Sequence, residues 1–211
     1  MRTTNIEYKV YKYEELSKEA KERALNKFNS EDTYPWYEEN KEVLKAFSEI
    51  FPISIDGWEY GYHKYVDFSM ECEYEEIEEF TGIRLVKYLW NNYKNDILKG
   101  KYYSTKGYYD KNKKYHYRYR YSKIILNYDC VLTGYYLDME ILDPIYKFLD
   151  MPNDTITFKE LIEECLTSWV NACDDDIRNY YTSESLEELS QDNEYEFLED
   201  GTIFCENNIS A

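Results

Sequence analysis

The sequence predicts an α+β fold: an antiparallel sheet packed by several helices, with a Tyr-rich basic β-hairpin arm. Three observations predict it. Apolar and polar residues alternate near both ends of the chain and in its middle, which is the period of a strand. Between those stretches the apolar residues recur at the helical interval. From residue 99 to 123, tyrosines and basic residues take over, again with a period of two. Helices covering one face of an antiparallel sheet are the simplest layers for such an order. A chain of 211 residues is then read as a single α+β domain over 1–211, carrying an inserted arm at 99–123.

Taken in order, Ile6, Tyr8 and Val10 alternate with Glu7, Lys9 and Lys12, predicting a first strand over 6–13. Ser17 predicts the N-cap of a helix running to about Phe28, with Leu16, Ala20, Ala24 and Phe28 on its apolar side. Pro35 is expected to open a second helix that buries Trp36, Val43, Leu44 and Phe47. In 52–70 the apolar residues lie on both sides of Asp56-Gly57, a dipeptide that signals a hairpin turn. Gly82 precedes a helix over 83–98, with Leu85, Leu89 and Tyr93 along one side. Two more helices are expected at 136–149 and from 158 to about 181. The second carries Leu161, Ile162, Cys165, Leu166, Trp169 and Val170, and should supply much of the core. A short helix from Ser183 and a closing hairpin over 195–204, turned at Asp200-Gly201, complete the order.

Composition narrows the functional classes. A hydrophobic content of 43% is enough to build a core and argues against wholesale disorder. The net charge of −18 disfavours nucleic acid or an anionic membrane as the main partner and favours a basic protein surface. The five cysteines, Cys72, Cys130, Cys165, Cys173 and Cys205, are odd in number and contain no C-x-x-C pair. A secreted disulfide framework and a zinc site are both disfavoured on that count. Met1-Arg2-Thr3-Thr4-Asn5 leads into no apolar stretch, so no signal peptide is expected. Nor does any uncharged apolar run reach bilayer length, and the cytoplasm is the expected compartment. The two histidines, His63 and His116, stand beside no nucleophile pattern, and no nucleotide-binding, nucleophile-elbow or zincin motif occurs. The expectation is a protein that is not an enzyme and uses no cofactor or metal.

Two segments could carry binding. Residues 99–123 hold nine Lys or Arg and one acid, Asp110, a net +8 that leaves −26 for the remainder. Within them, Tyr115 to Tyr121 alternates strictly. A strand would set four tyrosines on one side and His116, Arg118 and Arg120 on the other. Tyr102, Tyr103, Tyr108 and Tyr109 precede this run across a turn expected at Gly107. The candidate binding residues of the arm are Lys113, Lys114, His116, Arg118 and Arg120. They would grip phosphate or a carboxylate-rich surface, with aromatic rings available for stacking. Two alternatives stand beside that reading: a Tyr side packed on the body with a solvated basic side, or an arm docked on the protein's own acidic face.

The second segment is acidic: Glu71, Glu73, Glu75, Glu76, Glu78 and Glu79. Asp174, Asp175 and Asp176 form another cluster, and 184–200 adds eight acids and no base. Rows of carboxylates can imitate a nucleic-acid backbone to a basic cleft. A Ca²⁺ or Mg²⁺ site would need a glycine-containing loop with alternating oxygen ligands, and that pattern is missing. Solvated faces are the competing reading.

Tyr11-Lys12-Tyr13-Glu14-Glu15-Leu16-Ser17, followed by Glu19-Ala20-Lys21 and Arg23-Ala24, opens the chain, and Asn193, Tyr195, Phe197 and Asp200-Gly201 close it. These two ends resemble a loose family of uncharacterised acidic proteins encoded by phages and prophages, some of which carry an antitoxin-like label. The resemblance implies an origin in a mobile element and transfers no functional residue. Joined to the acidity and the missing catalytic motifs, it leads to an expected function. That function is an accessory protein acting as a stoichiometric, anti-CRISPR-like inhibitor of a host defence system, in one form a nucleic-acid mimic. The expected partner is a host protein with a basic surface, such as a nucleic-acid-binding defence effector, with nucleic acid itself reached only through the arm. An antitoxin-type neutraliser and a nucleic-acid binder using the arm are the alternatives.

Overall fold

The computed structural model describes residues 7–31, 34–100, 104–121, 126–127 and 130–204, with the backbone alone at 31, 99–100, 104–108, 116–121 and 126–127. In chain order the helices are α1 (Lys18–Glu31), α2 (Tyr37–Ile50), α3 (Gly82–Ile97), α4 (Leu137–Asp150), α5 (Phe158–Tyr180) and α6 (Ser183–Asp192). The strands are β1 (Ile53–Glu59), β2 (Tyr65–Met70), β3 (Lys99–Gly100), β4 (Ser104–Tyr109), β5 (Tyr115–Tyr121) and β6 (Leu126–Asn127). The fold is α+β with a hairpin arm, as the periodicities predict. Its described strands form three antiparallel two-stranded ladders, β1–β2, β3–β6 and β4–β5. The chain divides into two compact units, Met1–Pro35 with Asp174–Ala211, and Trp36–Cys173.

The first unit joins the two ends of the chain. The strand predicted over 6–13 shrinks to one bridge: Tyr11 N donates to Phe197 O at 2.9 Å, and Phe197 N donates to Tyr11 O at 2.8 Å. Ile6 lies outside the described residues. The strand stops there because the backbone turns at once into a 3-10 turn, Tyr13–Glu15. The Glu15 carboxylate accepts the Lys12 N–H at 2.8 Å and closes that turn. Tyr8 and Val10 remain exposed, so their alternation finds no sheet. Ser17 caps α1 as predicted, its Oγ accepting from Ala20 N at 3.2 Å. Thr182 caps α6 likewise, its side chain accepting from Ser185 N. Tyr13, Leu16, Ala20, Ala24, Leu186 and Phe197 form the core. The closing hairpin turns at Asp200-Gly201, with Phe197 bridged to Ile203 and Leu198 N donating to Thr202 O at 2.8 Å.

The second unit carries α2, α3, α4, most of α5 and all the described strands. Val43, Leu44 and Phe47 are buried from α2, but Trp36 is not; it precedes the helix and is exposed. Asp56-Gly57 is not a turn. β1 runs through both residues, and its register slips between Ile55 and Gly57, so Asp56 is the extra residue of a bulge. The chain reverses later, over 60–64, where Gly61 takes φ +95°. α3, α4 and α5 fall where the helical periodicity predicts them. From α5, Leu161, Ile162, Cys165, Leu166 and Trp169 are buried. Trp169 meets Trp58 and Tyr60 edge-on at 5.5 and 5.9 Å, and its Nε1 donates to Asn40 O at 3.2 Å, tying α2, β1 and α5 together. Tyr146 of α4 donates to Ile97 O at 2.6 Å, which fastens α4 to the end of α3.

Candidate functional site

The arm exists as a hairpin, but it does not turn at Gly107. That residue lies within β4 opposite Tyr117, and the reversal comes at 110–114. Asp110 builds the turn: its Oδ1 accepts the N–H groups of Asn112 and Lys114 at 2.8 and 2.9 Å. Its backbone N donates to Lys114 O, and its carbonyl accepts from Lys113 N, both at 3.0 Å. Lys113 sits in the left-handed region at φ +59°. The one acid of the arm is therefore engaged in the turn, while Lys111, Lys113 and Lys114 are exposed around it. β3 and β6 form a separate short ladder, Lys99 opposite Asn127 and Gly100 opposite Leu126.

The β4–β5 register pairs Lys106 with Tyr119 and Gly107 with Tyr117, skipping Arg118. A bulge interrupts the period of two, so the unbroken alternation predicted over 115–121 does not hold in the ladder. The predicted separation of tyrosines from His116, Arg118 and Arg120 falls outside the described side chains. Tyr109 and Tyr115 are described. They face each other in register at the end of the ladder, with ring centroids 5.0 Å apart, and both are exposed.

The six glutamates of 71–79 lie in the connection between β2 and α3, around a 3-10 turn at Glu75–Ile77. Glu71, Glu73, Glu75, Glu76 and Glu79 are exposed, and among the described residues their carboxylates form no ion pair. Glu78 is different. Its side chain is only 23% exposed, its Oε2 lies 3.9 Å from Lys159 Nζ, and its carbonyl accepts from Lys159 N at 3.1 Å. Burial, and then the Glu78 charge, push the nearby Cys72 thiol above its ordinary pKa. Glu78 thus fastens this loop to α5.

The other acidic cluster is not a solvated face. Asp174 is fully buried, 3.0 Å from Arg178 Nη2, Asp176 accepts the Tyr34 hydroxyl, and only Asp175 is exposed. In 184–200, Asp200 is drawn into the closing turn. The Thr202 N–H, held by Asp200 Oδ1 at 2.9 Å, keeps its carboxyl below the ordinary range. His63 is exposed, with its ring edge-on to Tyr62. Among the described residues, no group of three or more His, Cys, Asp or Glu is arranged to hold a metal ion.

Sequence reasoning missed two polar fixtures. Asp138, fully buried, accepts from the backbone N–H groups of Leu132, Thr133 and Gly134 at 2.9, 2.7 and 2.9 Å, and from Thr133 Oγ1 at 2.8 Å. It anchors the return from the arm to the first turn of α4. A Thr-Gly pair a few residues ahead of an acid in a first helical turn was the available signal. The other is the capping box at the start of α5, where Glu160 accepts from Thr157 N at 2.8 Å and Thr157 Oγ1 accepts from Glu160 N at 3.2 Å. Thr157-Phe158-Lys159-Glu160 carries the Thr-x-x-Glu spacing openly.

Comparison with protein families, with curated proteins and with solved structures finds no match.

Proposed function

We propose that this chain acts by stoichiometric binding to a partner with a basic surface, as an accessory protein of a mobile element that inhibits a host defence effector. The observation that supports the reading is the loop at 71–79, where five exposed glutamates pair with no described base in a chain of net charge −18. A dense, uncompensated set of carboxylates draws a basic surface towards it and raises the rate of encounter. Binding without turnover consumes the inhibitor, so inhibition of the partner saturates near an equimolar ratio. No helix among the described residues is long and apolar enough to cross a membrane, and none is needed for this role.

The test is capture of the partner from host lysate, followed by titration of that partner's own activity with the purified chain. Saturation near equimolar ratio supports the proposal. Inactivation at a small fraction of that ratio, leaving a covalently altered partner, overturns it.

A further inference from the structure

The inhibitory role proposed above uses the acidic loop and leaves the arm without a task. The arm's tip has a chemistry of its own. Lys111, Lys113 and Lys114 are all exposed within a turn of five residues, and the one carboxylate there, Asp110, accepts two backbone N–H groups of the turn. Directly beneath the turn, Tyr109 and Tyr115 close the ladder as a register pair, 71% and 40% exposed, with their rings inclined at 62°. β4 and β5 pair with each other and with no other described strand. Three cations and two accessible aromatic rings thus meet on one small turn.

We propose that the tip of the β4–β5 hairpin binds single-stranded nucleic acid, with Lys111, Lys113 and Lys114 against phosphates and Tyr109 and Tyr115 against bases. Lysines alone would serve any polyanion. The exposed tyrosines argue for bases, because every base has a π-face that stacks on an aromatic ring. A tight turn is also convex, and a flexible single strand can bend around it where a rigid acidic surface meets it at a point. The chain's −18 does not forbid this, because at physiological salt charges more than about 8 Å apart are largely screened from one another. The segment 99–123 itself carries +8.

The experiment uses the full chain and a fluorescently labelled oligo(dT), followed by anisotropy over a range of salt. The expected affinity falls with salt with a log–log slope of about −2, since three phosphate contacts on a single strand each contribute about −0.7. Lys111→Glu with Lys113→Glu and Lys114→Glu should abolish binding and its salt dependence. Tyr109→Ala should weaken binding by about tenfold, the loss of one stacked base, and Tyr109→Trp should retain it. Thermal melting should be the same for all four proteins, because every changed residue is exposed.

Four outcomes overturn the proposal. One is no binding of the oligonucleotide at low salt. Another is equal competition by polyglutamate, which would make the tip a site for acidic protein. A third is indifference to Tyr109→Ala, which removes the bases from recognition. The last is salt-dependent self-association in sedimentation that the triple lysine variant abolishes while oligonucleotide binding persists, which assigns the tip to a second copy of the chain.

Discussion

Gly201 takes φ +90°, and a Cβ there would fall 2.2 Å from Ala20 O on α1. Conformation and space both demand glycine. Gly201→Ala should therefore lower stability by roughly 2 kcal/mol or more, the usual scale for such backbone strain with a clash added. Thermal or denaturant melting checks this, and an unchanged midpoint would show that the turn lifts off α1 freely. Asp138 makes the complementary case, a buried acid whose oxygens accept four hydrogen bonds. Asp138→Asn replaces one acceptor by an NH₂ group facing N–H donors, and should cost about 2–3 kcal/mol. Tyr93 supplies a pH dependence. Burial first, and then the hydrogen bond with the Tyr88 hydroxyl at 3.0 Å, raise its pKa well above the ordinary 10.0. A folded-state pKa raised in this way means stability that is complete below pH 10.0 and lost as pH climbs beyond it. Tyr93→Phe keeps the ring against Phe51 at 4.7 Å, so denaturant melts at rising pH should show a shallower alkaline loss than in the parent chain.

Helices and turns differ in how much of them is written locally. α1, α3, α4, α5 and α6 lie where the 3.6-residue periodicity places them, because a helix satisfies its own backbone and needs a partner only for its apolar side. Trp169, the largest fully buried side chain, is the clearest case on α5. Trp169→Ala should cost about 3–5 kcal/mol and flatten the near-ultraviolet circular dichroism from the Trp58–Tyr60–Trp169 cluster. A small loss with the near-ultraviolet signal retained would mean that the cluster does not hold α2, β1 and α5 together. The closing reversal at Asp200-Gly201 was legible in the same way, but the other two predicted reversals behaved otherwise. Asp56-Gly57 and Gly107 both read as turns and both lie at bulged positions inside ladders. Glycine serves a bulge and a tight turn for the same reason, its freedom in φ and its lack of a Cβ. The choice between them is made by cross-strand register, which no local window contains. The actual reversals rest on Gly61 in one hairpin and on the Asp110 carboxylate in the other.

At the scale of the whole molecule, charge is the dominant property, and the structure sorts it by use. Glu78, Asp174, Asp176 and Asp200 are drawn into ion pairs or hydrogen bonds within their own units. Among the described residues, the side chains of the five exposed glutamates of 71–79 are not. Changing Glu71, Glu73, Glu75, Glu76 and Glu79 to Lys should slow association with the partner far more than it speeds dissociation, and the parent's on-rate should fall steeply with salt. Stopped-flow or surface-binding kinetics at two ionic strengths decide it: rates indifferent to both salt and substitution would leave these carboxylates merely solvated. Each of these five changes made singly should leave stability within about 0.5 kcal/mol, as for most exposed substitutions, whereas Glu78→Lys should destabilise the second unit by setting a cation beside Lys159.

Segments far apart in the chain share the first unit: Tyr11 bridges Phe197, and Gly201 rests on Ala20 and Ala24. From the sequence alone came the class of fold, the helices, the existence of a basic hairpin arm and the uneven charge, since each of these follows from composition or from a period a few residues long. Tertiary structure alone decided that residues 11 and 197 pair, that Tyr8 and Val10 join no sheet, and that Trp36 stays exposed. It also decided which of the described carboxylates stay exposed and which are buried or bonded. Each of those outcomes depends on contacts between residues far apart in the chain, where burial and hydrogen-bond partners are set by what the rest of the fold brings alongside.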